Sequence, residues 1–536
     1  MATPSADSKI SQIRARALKA LGRAASRQAV RSEAARQTSP EDLQASVRHY
    51  CGDTRVVIAS NREPYEHVRD VSSLKMIRSA GGLASALDPI ASATGATWVA
   101  QASGNADREA SDAGGRVSIP PGAGRYTLQR IWIEPEDRAT EFRRFTNGCL
   151  WPLCHVVYVR PHFVASQWRA YQEVNGQFAE AVLGAVGDGP ALVLLQDFHL
   201  ALCARTLRER RPDLTIVLFW HVPWPNPEVF RILPWRQEVL GGLLSCDILG
   251  FHIQHHAMNF MDTVAWELEA RIDRERSAIQ RGGRRTYVRA YPIGPDAAEI
   301  SLSAHEAWAA REATAIREAL GIGDARVVLG VDRLDYTKGI PERLNAYERF
   351  LETHPAEADK VVFVQIGVPS RTDLPEYRSL RDAVEKSVLR LNERFGGPRA
   401  KVIHLITRNL DFRELIPYYV LADVMAVTSL HDGMNLVAME YVAAKVSLDG
   451  VLILSPFTGA ARELEHAIQV SPYDTDLLAN ALARALAMSR EERADRMRAL
   501  RESVSTRNIY DWATRIFRDV RRLHLLPAGS RPGPRR

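Results

Sequence analysis

Short apolar runs alternate with segments of helical hydrophobic spacing over most of the chain, from about residue 55 to residue 525. The apolar runs predict strands in two groups. The first group covers 55–59, 97–100, 126–132, 191–195, 215–219, 248–251 and 287–290. The second group covers 326–330, 361–366, 402–406, 424–428 and 451–454. Strands that alternate with helices indicate parallel sheets covered by helices, which is the α/β class.

A polar, Ala-rich stretch at 301–320 separates the two groups and predicts an inter-domain connection with one helix. A chain of 536 residues is also too long for a single hydrophobic core. We therefore predict two Rossmann-like domains, at 50–310 and 311–504, that face a cleft. A further helix at 505–525 carries Trp512 and Phe517 as its large apolar anchors.

The two ends of the chain differ from the rest in composition. Residues 1–49 are rich in Ala, Arg, Ser and Gln and predict a basic extension, partly disordered, that begins with an amphipathic helix. The narrow apolar stripe of this helix favours a loosely ordered extension. The alternative is that the helix contacts an anionic membrane surface or a partner. The Pro/Gly/Arg-rich segment 526–536 predicts a disordered tail.

Composition narrows the class of protein. With 46% hydrophobic and 25% charged residues, the chain is typical of soluble globular proteins. No apolar stretch reaches the ~18–20 residues that cross a bilayer, and the N-terminus lacks a signal-peptide core, so we expect a cytoplasmic protein without stable membrane insertion. The net charge of +6 is modest and does not indicate nucleic acid, although it suits anionic substrates. The sequence leaves open whether the protein forms a homo-oligomer.

Cysteine and histidine spacing does not indicate a metal site. The five cysteines are scattered without metal-type spacing and suggest neither a disulfide framework nor zinc. The cluster of His252, His255 and His256 has no neighbouring cysteine or second acidic pair to complete a coordination sphere. We therefore predict no metal.

The run VDRLDYTKG at 331–339 places two cations where an apolar strand gives way to a helix. Arg333 and Lys338 are thus expected at the carboxyl end of a strand, where open α/β sheets bind ligands. A guanidinium can grip a phosphate through two hydrogen bonds while an ammonium acts as a point charge beside it. This pattern predicts a diphosphate site, and a solvated charge pair in a loop is the alternative for the segment alone.

A second segment, SLHDGMNLVAMEY at 429–441, has the same layout of strand, Gly-containing turn and helix. Backbone N–H groups at the turn and at the start of the helix suit an anion. The carboxylates of Asp432 and Glu440 are acceptors suited to sugar hydroxyls. Together, the two segments predict both halves of a nucleotide-sugar site.

At this point the chain resembles glycosyltransferase family 20, the trehalose-6-phosphate synthases, from about residue 55 to residue 522. The resemblance is carried by blocks in the family's order: SNR at 60–62, AGGL at 80–83, 147–152, QDFH at 196–199, HVPWP at 221–225, 332–339, PSR at 369–371, 432–441 and FTGAA at 457–461. It implies a GT-B type fold, with the acceptor side on the first domain and the nucleotide sugar on the second. In such folds a helix like 505–525 crosses back to the first domain.

The resemblance also implies roles for individual residues. Arg333 and Lys338 would stabilise the leaving diphosphate, while His221 and Asp197 match family residues near the transferred sugar. Glu440 matches the ribose-binding carboxylate, and Gly81 and Gly82 match a loop in which missing side chains let the backbone approach phosphate. The expected donor site comprises Gly81, Gly82, Asp432, Gly433, Met434, Asn435, Leu436, Val437 and Glu440.

The acceptor side both matches and departs from the family. Asn61, Arg62, Trp151 and Arg371 are present, and two converging arginines suit a sugar phosphate. Phe142 stands where typical members have a tyrosine, and Gln101 stands near the expected place of a second tryptophan. His431 and Met439 replace an arginine and a lysine.

The resemblance implies a retaining transferase that moves glucose from UDP-glucose, as a co-substrate, to glucose 6-phosphate, without a cofactor. The donor nucleotide could also be GDP or ADP. The nearest rival is a glucosylglycerol-phosphate synthase with glycerol 3-phosphate as acceptor, which the sequence REPY at 62–65 and the segment 230–235 resemble. A catalytically silent sugar-phosphate sensor is the third reading. The expected partners are small-molecule substrates.

Overall fold

The structure is a computed structural model that describes residues 37–70, 73–78, 82–120, 123–397 and 401–526. Gly81, most of the predicted N-terminal extension (1–36) and residues 527–536 of the predicted tail lie outside the described residues. Within the described part, no helix combines the length and the apolar character needed to cross a bilayer.

The first sheet has ten strands, built around a parallel centre. In chain order its strands are β1 (Arg55–Arg62), β4 (Thr97–Gln101), β5 (Arg116–Ile119), β6 (Tyr126–Ile131), β7 (Ala191–Gln196), β8 (Thr215–Phe219), β9 (Ile248–Phe251), β10 (Arg271–Asp273), β11 (Ala278–Arg281) and β12 (Arg284–Ala290). Their spatial order is β10-β11-β12-β9-β8-β7-β1-β4-β6-β5. The outer strands β5, β10 and β11 pair antiparallel, and the rest pair parallel. A separate hairpin joins β2 (Tyr65–Asp70) to β3 (Ser73–Arg78).

The second sheet has six parallel strands. They are β13 (Arg326–Arg333), β14 (Val361–Val368), β15 (Ile403–Ile406), β16 (Val424–Val427), β17 (Val451–Leu454) and β18 (Ile468–Gln469). Their order is β15-β14-β13-β16-β17-β18. Every predicted strand is found, with ends shifted by at most a few residues. The hairpin and the short strands β5, β10, β11 and β18 were not predicted from the sequence.

Helices fill the connections between strands. They are α1 (Pro40–Cys51), α2 (Gly82–Thr94), α3 (Asp107–Ala110), α4 (Glu136–Phe145), α5 (Trp151–His155), α6 (Ala165–Val186), α7 (Cys203–Arg210), α8 (Pro227–Phe230), α9 (Arg236–Leu243), α10 (Gln254–Glu267), α11 (Ala297–His305), α12 (Ala307–Ala319), α13 (Ile340–Thr353), α14 (Pro375–Phe395), α15 (Phe412–Leu421), α16 (Leu436–Ala444), α17 (Thr475–Ala487), α18 (Arg490–Thr506) and α19 (Ile509–Arg522). A π-helical turn, Thr146–Leu150, joins α4 to α5. The connection at 301–320, predicted to hold one helix, holds most of α11 and α12.

Successive side chains of the central strands pack into different hydrophobic clusters. In β1, Val56 and Ile58 belong to one buried cluster, while Val57 belongs to another on the opposite face. In β13, Leu329 belongs to the same cluster as Ile58, while Val328 faces a third cluster. Because strand side chains point to opposite faces in turn, each sheet is buried on both sides. One apolar cluster therefore runs through both sheets and supports the cleft between them.

The two described ends of the chain pack together. Ser39 and Asp42 form a capping box that starts α1, and Leu43 and Val47 on this helix are buried. Residues 40–49 therefore form an ordered helix of the core, whereas the sequence placed them in the extension. The apolar spacing of this single short helix was hidden by the surrounding polar, Arg-rich composition.

The C-terminal helix α19 contacts the first sheet. The Trp512 ring packs against Phe219 of β8 at 5.0 Å between centroids. The Tyr291 hydroxyl donates to Asp519 at 2.8 Å, and the Tyr510 hydroxyl donates to Asp296 at 2.5 Å. Helix α19 thus lies beside elements that precede residue 300, although it follows the second sheet in the chain.

If α1 is part of the core, Leu43→Ala should lower the free energy of unfolding by about 2–5 kcal/mol, because it removes apolar contacts and leaves a cavity. Gln44→Ala changes an exposed neighbour on the same helix and should have little effect. Thermal and urea denaturation of both variants would check this. Equal stability of the two variants would contradict the assignment of α1 to the core.

Candidate active site

The predicted site residues come from the carboxyl ends of strands in both sheets. Arg62 ends β1, Asp197 directly follows β7, and Arg333 ends β13. Carboxyl ends of parallel strands meet at one edge of a sheet, where α/β proteins bind ligands. The two edges face each other, since the charges of Arg333 and Arg371 act on the Arg62 guanidinium. The cleft between the sheets is therefore lined from both sides.

Two arginines from the second sheet lie over the indole ring of Trp151. The guanidinium carbon of Arg371 is 4.0 Å from the ring centroid, and that of Arg333 is 5.3 Å away. Cations are attracted to the face of an indole ring, so Trp151 fixes where both guanidiniums lie. The structure thus brings together three residues that the sequence placed far apart in the chain.

The buried carboxylate of Asp335 joins the two arginines. Its Oδ2 atom accepts a hydrogen bond from Arg371 at 2.7 Å and lies 3.7 Å from the Arg333 Nη2 atom. Arg371 also donates to the Tyr377 hydroxyl at 2.5 Å. The sequence prediction missed both Asp335 and Tyr377. Asp335 lies inside the 331–339 run, so its position in that motif was the available signal.

The cations of this site repel one another. Burial lowers the pKa of Arg62, and the nearby charges of Arg333 and Arg371 lower it further. Burial likewise lowers the pKa of Arg333, followed by the charge of Arg371. Cations gathered in this way favour a bound anion, which would offset their repulsion through charge-assisted hydrogen bonds. The arrangement can bind phosphate.

Several polar atoms beside these cations are buried without a hydrogen-bond partner in the described part of the chain. They include the Asn61 Oδ1 acceptor, the Trp151 Nε1 donor and the His199 Nδ1 atom. Buried polar atoms are nearly always satisfied, so unpaired ones at a cleft indicate a ligand or water. Asn61 directly precedes Arg62, on which the charges of Arg333 and Arg371 act, and Trp151 lies against both of those arginines.

Lys338 forms an ion pair with Asp432 across the loop ends of β13 and β16. The Lys338 Nζ atom donates to Asp432 Oδ2 at 2.5 Å, and Asn435 Nδ2 donates to the same atom at 3.1 Å. Burial by itself raises the pKa of Asp432, but the charge and hydrogen bond of Lys338 outweigh it and the net pKa is lowered. Asp432 is therefore an ionised acceptor.

The turn after Asp432 approaches the first domain through a glycine. A Cβ atom on Gly433 would stand 2.1 Å from the His221 carbonyl oxygen, so only glycine fits there. Asn435, at φ 88°, caps α16 by accepting from the Ala438 amide at 3.1 Å. Met434 is buried beside this turn.

Helix α16 begins at Leu436, and Val437 lies in its first turn. The first N–H groups of a helix have no partner within the helix, and its dipole favours an anion at this end. Further along α16, Glu440 Oε2 accepts a hydrogen bond from the Tyr419 hydroxyl at 2.7 Å. Burial raises the pKa of Glu440, and the Tyr419 hydrogen bond only partly opposes that shift. Tyr419 was not predicted.

Asp197 and His221 lie together on the first-sheet side of the cleft. Asp197 Oδ1 accepts from the His221 amide at 3.1 Å, and His221 Nε2 is 2.9 Å from Gln196 Oε1. Asp197 has φ 73°, a strained conformation for a residue other than glycine, of the kind found at functional sites. Burial lowers the pKa of His221, followed by the charges of His252 and His199, so the ring is neutral.

Phe142 lies one ring away from the arginines. It is buried, stacks on Tyr171 at 6.0 Å and packs against His199 at 6.4 Å. Burial lowers the pKa of His199 to about 3, and the charges of Arg371 and Arg62 contribute. The His199 ring is therefore close to the cationic pocket, with Phe142 packed against it. Gly82, at the start of α2, follows the undescribed Gly81.

Known proteins are similar in sequence to this chain over nearly its whole length. The family model for glycosyltransferase family 20 matches residues 54–522. A trehalose-6-phosphate synthase of Mycolicibacterium gilvum is 39% identical over 472 residues, covering 87% of this chain and 93% of the relative. One of Mycolicibacterium vanbaalenii is 37% identical over 477 residues, covering 88% and 96%.

Solved structures share the fold. The E. coli enzyme bound with UDP-2-fluoro glucose has a TM-score of 0.78 at 30% identity, covering 87% of this chain and 99% of the other. A UDP-forming α,α-trehalose-phosphate synthase from Burkholderia xenovorans in complex with glucose 6-phosphate has a TM-score of 0.77 at 32% identity, with the same coverage. The α/β, GT-B type fold predicted from the sequence is thereby confirmed. The chain belongs to glycosyltransferase family 20.

Proposed function

We propose that this protein is a retaining glucosyltransferase that moves glucose from UDP-glucose to glucose 6-phosphate, forming α,α-trehalose 6-phosphate and UDP. The observation that carries this proposal is the cationic pocket between the sheets. Arg62 enters it from the first sheet, and Arg333 and Arg371 enter from the second over the Trp151 ring. A transferase for an anionic donor and an anionic acceptor needs cations at the junction of its two domains.

The acceptor phosphate would bind to Arg62 and Arg371. Arg371 is held by Asp335 and Tyr377, so its remaining N–H groups have a fixed direction. Trp151 supplies an apolar wall and an unpaired Nε1 donor beside it. Asn61 offers an unpaired acceptor for a sugar hydroxyl. This pocket matches the needs of a hexose that carries one phosphate.

The donor would bind along the second sheet. Glu440, oriented by Tyr419, accepts from the ribose hydroxyls, and Asp432 accepts from the glucose hydroxyls. The amides at Gly433, Met434 and Asn435 and those starting α16 at Leu436 and Val437 would complete the cradle. Gly82, at the start of α2, would approach the donor phosphates from the first domain.

The reaction breaks the bond between the glucose anomeric carbon and the diphosphate oxygen and forms a bond from that carbon to the acceptor hydroxyl on the same face. The departing phosphate oxygen takes the acceptor's proton. Arg333 and Lys338 stabilise the negative charge that develops on this oxygen, which is electrostatic catalysis by groups already in place. His221 and Asp197 position the transferred glucose.

The comparisons favour glucose 6-phosphate over glycerol 3-phosphate as acceptor, because the relatives carry the name trehalose-6-phosphate synthase. A silent sensor is disfavoured because Arg333, Lys338, Asp432 and Glu440 are all in place. Incubating the pure protein with UDP-glucose and each acceptor separately tests the proposal. Turnover with glycerol 3-phosphate alone would replace it with the rival, and turnover with neither acceptor would favour the sensor.

We expect Arg333→Ala and Lys338→Ala each to lower kcat by roughly 10²–10³, because each removes a cation that stabilises the transition state. Steady-state kinetics with UDP-glucose and glucose 6-phosphate would measure this. Lys386→Ala removes an exposed lysine of α14 and is the matched control. A near-wild-type kcat in either active-site variant, with melting temperatures showing that it is folded, would contradict its assigned role.

Arg371→Ala should raise KM for glucose 6-phosphate by about 10- to 100-fold, because a charge-assisted hydrogen bond to the acceptor phosphate is lost. KM for UDP-glucose should change little. Varying one substrate at a time separates the two constants. An equal rise in both would show that Arg371 supports the site as a whole and does not bind the acceptor alone.

The raised pKa of Asp197 predicts a pH-dependent effect on stability. Burial raises it to about 6 from 3.8, so the folded state must ionise a buried carboxyl that the unfolded state has already ionised at lower pH. The contribution of Asp197 to the free energy of unfolding is therefore fully present below about pH 4. It is lost as the pH rises through about 6, and the loss is at most about 3 kcal/mol. Asn cannot ionise and escapes this cost.

We therefore expect Asp197→Asn to melt at a higher temperature than the wild type above pH 7, with the difference shrinking as pH falls from 6 to 4. Differential scanning fluorimetry over this range would follow it. Asp359→Asn changes an exposed aspartate and is the control. A difference that does not vary with pH would show that Asp197 titrates normally.

A further inference from the structure

A second cleft of about 580 Å³ lies at the β10–β12 end of the first sheet, among residues that take no part in the proposed active site. Its volume lies in the range of sites that bind small molecules. Charged and polar side chains line most of it. The residues important here are Arg205, Arg208, Gln237, Glu238, Arg281 and Arg284.

Two of the four arginines already have carboxylate partners. Arg205 donates to Glu209 at 3.0 Å. Arg208 donates to Asp247 at 2.6 Å and to three backbone carbonyls, so its N–H groups are used in the fold. These two arginines form part of the cleft wall and need no ligand.

The other two, Arg281 and Arg284, make no ion pair with any residue in the described part of the chain. They lie directly opposite each other, since Arg281 of β11 pairs with Arg284 of β12 beside the Gly282–Gly283 turn. Like charges at opposite positions of neighbouring strands are destabilising. Burial lowers the pKa of Arg284 and the charge of Arg208 lowers it further, while the charge of Asp247 only partly opposes both. An anion between the two guanidiniums would relieve this repulsion.

The floor of the cleft leaves room for such an anion. Arg281 reaches over helix α9, where its Nη1 atom is 3.7 Å from the place that a Cβ atom on Gly241 would take. Gln237 and Glu238, one turn earlier on α9, are exposed on the cleft wall. Glu238 has no hydrogen bond or ion pair among the described residues. An acceptor and an amide beside a pair of cations suit hydroxyl groups beside a phosphate.

We propose that this cleft binds the phosphate monoester of a small polyol or sugar, with its phosphate on Arg281 and Arg284 and its hydroxyls on Glu238 and Gln237. The cleft differs from the active site in that its free cations share no buried carboxylate. A ligand there would touch neither sheet's carboxyl-end loops, so its binding does not depend on the proposed function.

The test uses the full-length protein saturated with UDP. Sorbitol 6-phosphate is then added as the probe. Amide hydrogen exchange gives a local readout, and we expect slower exchange in the hairpin 278–290 and in α9 as the probe is added. The probe concentration at half-effect should rise at least about tenfold in an Arg281→Ala/Arg284→Ala double variant, because two charge-assisted contacts are lost. Gly241→Glu, which places a carboxylate beside Arg281, should weaken binding similarly.

Arg285→Ala is the matched control, since it removes the same charge from the same hairpin but lines a different cleft with Arg271 and Arg276. It should leave the half-effect concentration unchanged. The proposal is overturned if the wild type shows no protection, if the double variant binds as well as the wild type, or if Arg285→Ala loses as much. Sorbitol should give no protection, and inorganic phosphate binding as tightly as sorbitol 6-phosphate would overturn the assigned hydroxyl contacts.

Discussion

The carboxylate of Asp335 organises the cationic side of the active site. It is fully buried, accepts from Arg371 through Oδ2, and lies within 4 Å of Arg333. Its other oxygen accepts from the amide and hydroxyl of Thr337, which shapes the turn that presents Lys338. Burial by itself raises its pKa, but the charges of Arg371 and Arg333 outweigh this and the net pKa is lowered. Loss of this one charge would leave buried cations unpaired, an arrangement that is strongly destabilising.

The cleft depends equally on close backbone contact between the two halves of the chain. Gly433 lies against the His221 carbonyl, and the Gly433 carbonyl in turn lies against Gly459. The His431 ring donates to the His155 carbonyl at 2.7 Å, which joins the second sheet's loop to α5.

The candidate active site and the cleft at the sheet edge both bring arginines close together, but they differ in how the repulsion between these arginines is reduced. In the candidate active site, Arg333 and Arg371 share the buried carboxylate of Asp335, which compensates part of their charge. In the cleft at the sheet edge, Arg281 and Arg284 lie opposite each other and make no ion pair with a described residue, so an anion bound between them would reduce their repulsion. A fixed site suits catalysis, whereas an uncompensated pair suits reversible binding.

The sequence by itself determined the strands, the α/β class and the residues that we propose for the chemistry, because buried parallel strands are apolar throughout and the loops after them hold short, specific motifs. It did not reveal Asp335, Tyr377 or Tyr419 as partners, nor the place of α1 in the core. Those depend on contacts between residues far apart in the chain, for which local spacing gives no signal. Only the tertiary structure decided that Arg333 and Arg371 meet over the indole ring of Trp151, since that requires loops of the second sheet to lie against a helix that comes far earlier in the chain.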